Sequence, residues 1–121
     1  MAKRILVIDD DPDILEILDI IFTQEGYDVI LSETGREAEN ILEINPDLVV
    51  LDIMIAGSDK SGAAICAKIK SRPETQNLPV IMFSSEENIR EISEECGANG
   101  YASKPVQTLE LISKVKAFLA A

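Results

Sequence analysis

Five side chains in this chain could do chemistry together: the carboxylates of Asp9, Asp10 and Asp52, the hydroxyl of Ser84 and the ammonium of Lys104. Each follows an apolar run. ILVI (5–8) leads into Asp9 and Asp10, LVVL (48–51) into Asp52, PVIMF (79–83) into Ser84, and Lys104 comes just after the weaker run 100–102. A charge at the edge of a core is costly unless something nearby stabilises it. Three carboxylates within about 5 Å of one another repel by about 3 kcal/mol per pair at an effective dielectric of about 20. If the fold gathers these ends, the cluster needs a cation. The chain contains no histidine, and Cys66 and Cys96 have no C-x-x-C spacing. Oxygen-only ligands favour a hard ion such as Mg²⁺. A carboxylate beside Mg²⁺, an ammonium and a hydroxyl is an acceptor site for a phosphoryl group, whose oxygens those three neutralise and hydrogen-bond. On this reading Asp52 is the acceptor.

Whether these residues meet depends on the elements that carry them. Strand-like runs alternate with helix-like ones five times, with no Gly/Ser-rich linker or low-complexity tract. The uniformly apolar runs 5–8, 48–51 and 79–83 are those expected of parallel strands covered on both faces. Asp28–Leu31 and Gly100–Ala102 are weaker and belong nearer the edges. Ile14, Leu15, Leu18, Ile21 and Phe22 recur at helical spacing, with Asp11 as N-cap, Pro12 at the first helical position and Gly26 just past the end. The second helix is expected over about Arg36–Ile44, stopped by Asn45 and Pro46. The third carries Ile65 and Ile69, the fourth Ile89 and Ile92, and the fifth Leu109, Ile112, Val115 and Leu119. Ligands of open parallel sheets gather at the carboxyl ends of the strands, near a topological switch point. The candidate residues all stand at such ends.

Length and composition fit one soluble domain, residues 1–121: 46% of residues are hydrophobic and 27% charged. A net charge of −11 disfavours direct binding to nucleic acid or to an anionic membrane surface. The apolar run near the N-terminus is too short for a signal peptide and no segment approaches a membrane span, so a cytoplasmic location is expected. Cys66 and Cys96 read as small buried hydrophobes.

The motifs VIDDDPD, VVLDIM, IMFSS and GYASKP, in this order at these strand ends, resemble the receiver domain of two-component response regulators, and the likeness runs end to end. The resemblance implies a flavodoxin-like (βα)5 three-layer sandwich, with a parallel sheet in the order 2-1-3-4-5. It also implies a phosphoaspartate signalling cycle rather than an enzyme acting on other substrates. By position, Asp52 matches the phosphoacceptor and Asp10 the acid that binds Mg²⁺ directly. Asp9 matches its partner acting largely through water, and Met54 the residue lending its backbone carbonyl. Ser84 matches the switch hydroxyl, Tyr101 the aromatic whose rotamer follows it, and Lys104 the phosphate-pairing lysine, followed by a peptide bond to Pro105 that is usually cis. The implied partners are a histidine kinase or histidine phosphotransfer protein, and a downstream effector met by the fourth helix, fifth strand and fifth helix. The chain ends at Ala121, directly after the fifth helix, and no effector domain is expected within it.

Plainer readings compete with these roles. Asp11 is expected only to cap its helix. Asp9 and Asp10 could form a solvated turn, Ser84 could cap the loop after its strand, and Tyr101 could be edge-strand packing. The acids Glu86, Glu87, Glu91, Glu94 and Glu95 read as a solvated face. The loop after Asp52 departs from the family pattern. Ala56 replaces the usual proline, and the glycine expected eight residues after the acceptor is Gly62, ten after it, so IAGSDKSG carries two extra residues. Such a loop is expected to be more mobile and to alter donor access or partner choice. Met54 and Glu86 flank the site at positions that help set dephosphorylation rate in the family. Two other functions stand as alternatives. A haloacid-dehalogenase-like phosphatase would use the D-x-D of Asp9 and Asp11, but has Asp13 where its threonine belongs. A phosphorylation-independent interaction module would be marked by loss of the acceptor, the acid pair or the lysine, and none is lost.

Overall fold

The computed structural model describes residues 2–35, 39–53, 61–105 and 107–119. Five parallel strands, β1 (Arg4–Ile8), β2 (Asp28–Ser32), β3 (Leu48–Leu51), β4 (Val80–Ser84) and β5 (Gly100–Ser103), form one sheet in the order β2-β1-β3-β4-β5. Helices α1 (Pro12–Gln24), α2 (Ile41–Ile44), α3 (Gly62–Ser71), α4 (Ile89–Cys96) and α5 (Thr108–Leu119) alternate with them. The expected doubly wound sandwich and strand order are both present.

The apolar runs dictate the sheet's position. Every residue of β3 and β4 is buried, whereas β2 and β5 at the edges are only partly so. Side chains alternate across the sheet with period two. Leu6, Ile8, Val49, Leu51, Val80 and Met82 pack with α2, α3 and α4. Ile5, Val7, Leu48, Val50, Ile81 and Phe83 pack with α1 and α5. The two half-cores share one sheet, so register errors in the central strands would empty both.

Helix ends follow their sequence signals. Asp11 caps α1 by accepting from Asp13 N at 2.9 Å, with Pro12 opening the helix. At its other end Gly26 is left-handed (φ 88), Gly26 N donates to Thr23 O and Tyr27 N to Phe22 O, and the Tyr27 ring meets Phe22 edge-on at 6.5 Å. That is a complete Schellman stop with its apolar contact. Helix α2 begins later than expected, at Ile41; residues 39–40 form a 3₁₀ turn, and 36–38 lie outside the described residues. Asn45 ends it in a left-handed conformation, as Asn tolerates. Cys66 and Cys96 are both buried, and Cys66 Sγ lies 3.5 Å from the Cys96 carbonyl. Burial raises the Cys66 thiol's pKa far above its ordinary range, with Cys96 adding to the effect. The pair is packing material between α3 and α4.

Gly62 is where the fold most constrains the site. It opens α3, donates to Ile53 O at 2.7 Å, and lies so close to Asp52 that an added Cβ would fall 1.7 Å from the Asp52 carbonyl oxygen. Its neighbour Ser61 caps the helix through Ala64 N at 3.2 Å. The segment IAGSDKSG, in which two extra residues are expected, lies outside the described residues except for its last two, Ser61 and Gly62. Gly62→Ala is therefore expected to cost on the order of 2–3 kcal/mol, because backbone must move. Gly26→Ala meets no atom within 4 Å and should cost about 1 kcal/mol, from left-handed strain alone. Urea unfolding midpoints of the two variants check the contrast.

Candidate functional site

Strand register brings the chemistry-bearing residues together. Ile8 pairs with Leu51, and one residue further on Asp52 N donates to Ile8 O at 2.9 Å while Asp9 N donates to Ser32 O at 3.0 Å. Asp9 and Asp52 therefore leave adjacent strands side by side. Ser84 pairs with Ser103, and Lys104 N donates to Ser84 O at 3.0 Å, so the fifth strand delivers Lys104 to the same edge. The Lys104–Pro105 bond is cis.

Carboxylate oxygens of Asp9, Asp10 and Asp52 lie within 4.8 Å of one another. Asp9 is 1% exposed and Asp52 6%. Lys104 Nζ stands 2.8 Å from Asp9 Oδ2 and 3.2 Å from Asp52 Oδ2. It lies 5.6 Å from the centroid of the buried Phe83 ring, a further restraint on its position. The ammonium is thus shared between the two carboxylates, the nearer contact being to the buried Asp9 Oδ2. Asp9 Oδ1 accepts from Asp11 N at 3.0 Å.

The electrostatics follow from this crowding. Burial raises the pKa of Asp9 above its ordinary value; the Lys104 ammonium and the Asp11 amide act against the rise, and the charge of Asp52 adds to it. Burial pulls Lys104 down, but Asp9 and Asp52 together outweigh it and hold the ammonium above its usual value. Three carboxylates whose oxygens come within 4.8 Å of one another form an all-oxygen donor set that suits a hard divalent cation. The residues present fit Mg²⁺.

Ser84 is 2% exposed at the end of β4, and its Oγ accepts from Glu86 N at 3.3 Å, so it does cap its loop. That bond uses a lone pair and leaves the hydroxyl proton to be donated elsewhere. Tyr101, in β5, is half-buried against the cluster that contains Ile89 and Cys96 of α4. Met54 lies outside the described residues. Lys114 was not apparent from sequence: its Nζ donates to the Tyr101 carbonyl and lies 5.3 Å from the centroid of the Tyr101 ring. Its only signal along the chain is the i,i+4 spacing to Glu110, which describes a surface pair and nothing more.

Comparison with known proteins agrees with this geometry. The family model for the response regulator receiver domain matches residues 5–116. A Chloroflexus aurantiacus structure assigned as a response regulator is 31% identical with a TM-score of 0.91, covering 100% of both chains. The signal receiver domain of a histidine kinase from Syntrophus aciditrophicus is 33% identical, with a TM-score of 0.87 over 98% of this chain and 91% of that one. The receiver domain of NtrX from Brucella abortus is 33% identical, with a TM-score of 0.85 over 95% and 97%.

The raised pKa of Asp9 makes a signed prediction. A carboxyl with a raised pKa adds stability that is complete below its ordinary value of 3.8 and is lost as pH rises through the folded value. Ionising Asp9 therefore costs the cation-free folded protein stability. Asp9→Asn should raise stability at pH 7, with the gain shrinking toward pH 4. Urea midpoints at both pH values, in the presence of a chelator, check this; a lower midpoint at pH 7 would mean that the Lys104 contact outweighs burial.

Proposed function

The chain belongs to the response regulator receiver domain family, whose members are phosphoacceptor signalling modules, and from that premise we propose that Asp52 accepts a phosphoryl group from a partner's phosphohistidine. One observation carries the reading: Lys104 Nζ is held within 3.2 Å of the buried Asp52 carboxylate, which belongs to a three-carboxylate cluster with Asp9 and Asp10. In the transfer, an Asp52 carboxylate oxygen supplies the electron pair of the new O–P bond. The N–P bond breaks, and its electrons return to the imidazole. The protein's contribution is positioning and charge, as expected for a phosphoryl group passing through a loose transition state. Asp9 and the Phe83 ring hold the Lys104 ammonium where it can pair with phosphoryl oxygens. Asp9, Asp10 and Asp52, with the Met54 carbonyl, would hold Mg²⁺, which when bound neutralises charge on those oxygens.

Self-catalysed gain and loss of the phosphoryl group is the only chemistry in this reading. The added charge offers the Ser84 hydroxyl an acceptor, and Tyr101 repacks in answer, biasing a pre-existing equilibrium between two arrangements of the face formed by α4, β5 and α5. A downstream effector protein reads that face. The phosphodonor is a histidine kinase or histidine phosphotransfer protein. The net charge of −11 argues for protein partners over nucleic acid. Among the described residues no helix is long and apolar enough to cross a membrane.

Intact mass after incubation with acetyl phosphate tests the proposal. A single Mg²⁺-dependent phosphoryl adduct is expected on the protein and none on Asp52→Asn. Lys104→Met should form the adduct at least about tenfold more slowly, since a charge-assisted contact to the transferring group is lost. Absence of any adduct at excess donor would point instead to a phosphorylation-independent interaction module. An adduct that survives Asp52→Asn would move the acceptor to another carboxylate.

A further inference from the structure

β5 is an edge strand of the described sheet, so carbonyls on its outer side have no strand partner. At Tyr101 that carbonyl is met from α5: Lys114 Nζ donates to Tyr101 O. The same ammonium lies 5.3 Å from the centroid of the Tyr101 ring and 3.3 Å from Glu110 Oε1, one turn earlier on α5. The Glu110 carboxylate, about half exposed, adds a solvent-screened pairing. The strand carbonyl does not move with a side-chain rotamer, so the Lys114 hydrogen bond to it persists whichever way the ring turns, whereas the ammonium attracts the ring only in the position it now faces. The Lys114 side chain is one-third exposed, so this attraction is partly screened but not abolished.

We infer that Lys114 is a positioning residue that sets the rotamer balance of Tyr101 by clamping its carbonyl and facing its ring. The inference rests on the proposed switch role of Tyr101 for its consequence in signalling, but the clamp itself can be tested without any phosphoryl chemistry. Lys114 touches neither Asp52 nor the acidic pocket in this structure, so its effect is on the response to phosphorylation rather than on the transfer. Removing the charge while keeping the length of the side chain should lower the ratio of the present ring position to its alternatives by about two- to fivefold, the usual weight of a cation facing an aromatic ring near the surface.

The chain has two tyrosines, Tyr27 and Tyr101, and no tryptophan. Incorporating 3-fluorotyrosine thus gives two ¹⁹F signals, which Tyr27→Phe assigns. Lys114→Met should shift or split the Tyr101 signal and leave that of Tyr27 in place. Lys114→Arg, which keeps a charged donor, should restore it toward its original position, and Glu110→Gln should move it less and in the same direction as Lys114→Met. An unmoved Tyr101 signal in a folded Lys114→Met protein overturns the inference. So does an equal shift in Lys114→Arg, which would mark simple surface packing. Adding Mg²⁺ and beryllofluoride to the unaltered protein reports separately on the switch: a Tyr101 signal that answers Lys114→Met but not the phosphoryl mimic supports the clamp and overturns the switch role.

Discussion

Like charges crowded at one edge of a buried sheet are the constraint from which the rest of this molecule can be understood. Asp9 and Asp52 sit almost wholly out of water with Asp10 beside them, an arrangement that opposes folding unless positive charge is supplied. Lys104 supplies part of it, at 2.8 Å and 3.2 Å. A crowded carboxylate cluster of this kind would gain stability from a cation bound to it, because a ligand that favours the folded state shifts the folding equilibrium toward it.

The surrounding fold makes the crowding possible. Strands β1 and β3, adjacent and buried on both faces, end at the same level, so their next residues must emerge together. A pairing shifted by one residue would carry Asp9 away from Asp52 and also turn apolar side chains to the wrong half-core. Site geometry and core packing are thus specified by the same register. Gly62 adds a second lock, because α3 begins against the backbone of Asp52 with no room for a side chain.

On the output side, distance from the pocket is bridged by short links rather than by one long path. Lys104 follows β5 directly, and Tyr101 lies three residues before it in the same strand. The ring packs toward α4 while its carbonyl is held from α5. One edge strand therefore connects the charged pocket to both helices of the face through which the domain is proposed to signal. Edge strands tolerate such adjustment better than central ones, since only one neighbour must accommodate a shift.

Much of this was legible along the chain. Parallel strands buried on both faces must be unbroken apolar runs, so the residue that ends each run is conspicuous, and Asp9, Asp10, Asp52, Ser84 and Lys104 could be singled out from position and type alone. The caps of α1 were equally plain, because Asp-Pro at the start and Gly at the end act through local backbone geometry. The start of α2 is less legible, because no side-chain cap marks it and a 3₁₀ turn at 39–40 leads into Ile41. Tertiary structure alone decided which oxygen of which carboxylate faces Lys104, that Gly62 abuts Asp52, that Cys66 and Cys96 are neighbours, and that Lys114 reaches Tyr101. The physical reason is common to all four. Local signals fix the type and ends of an element, whereas side chains from distant segments meet only through register, helix rotation and side-chain reach, which no spacing along the chain encodes.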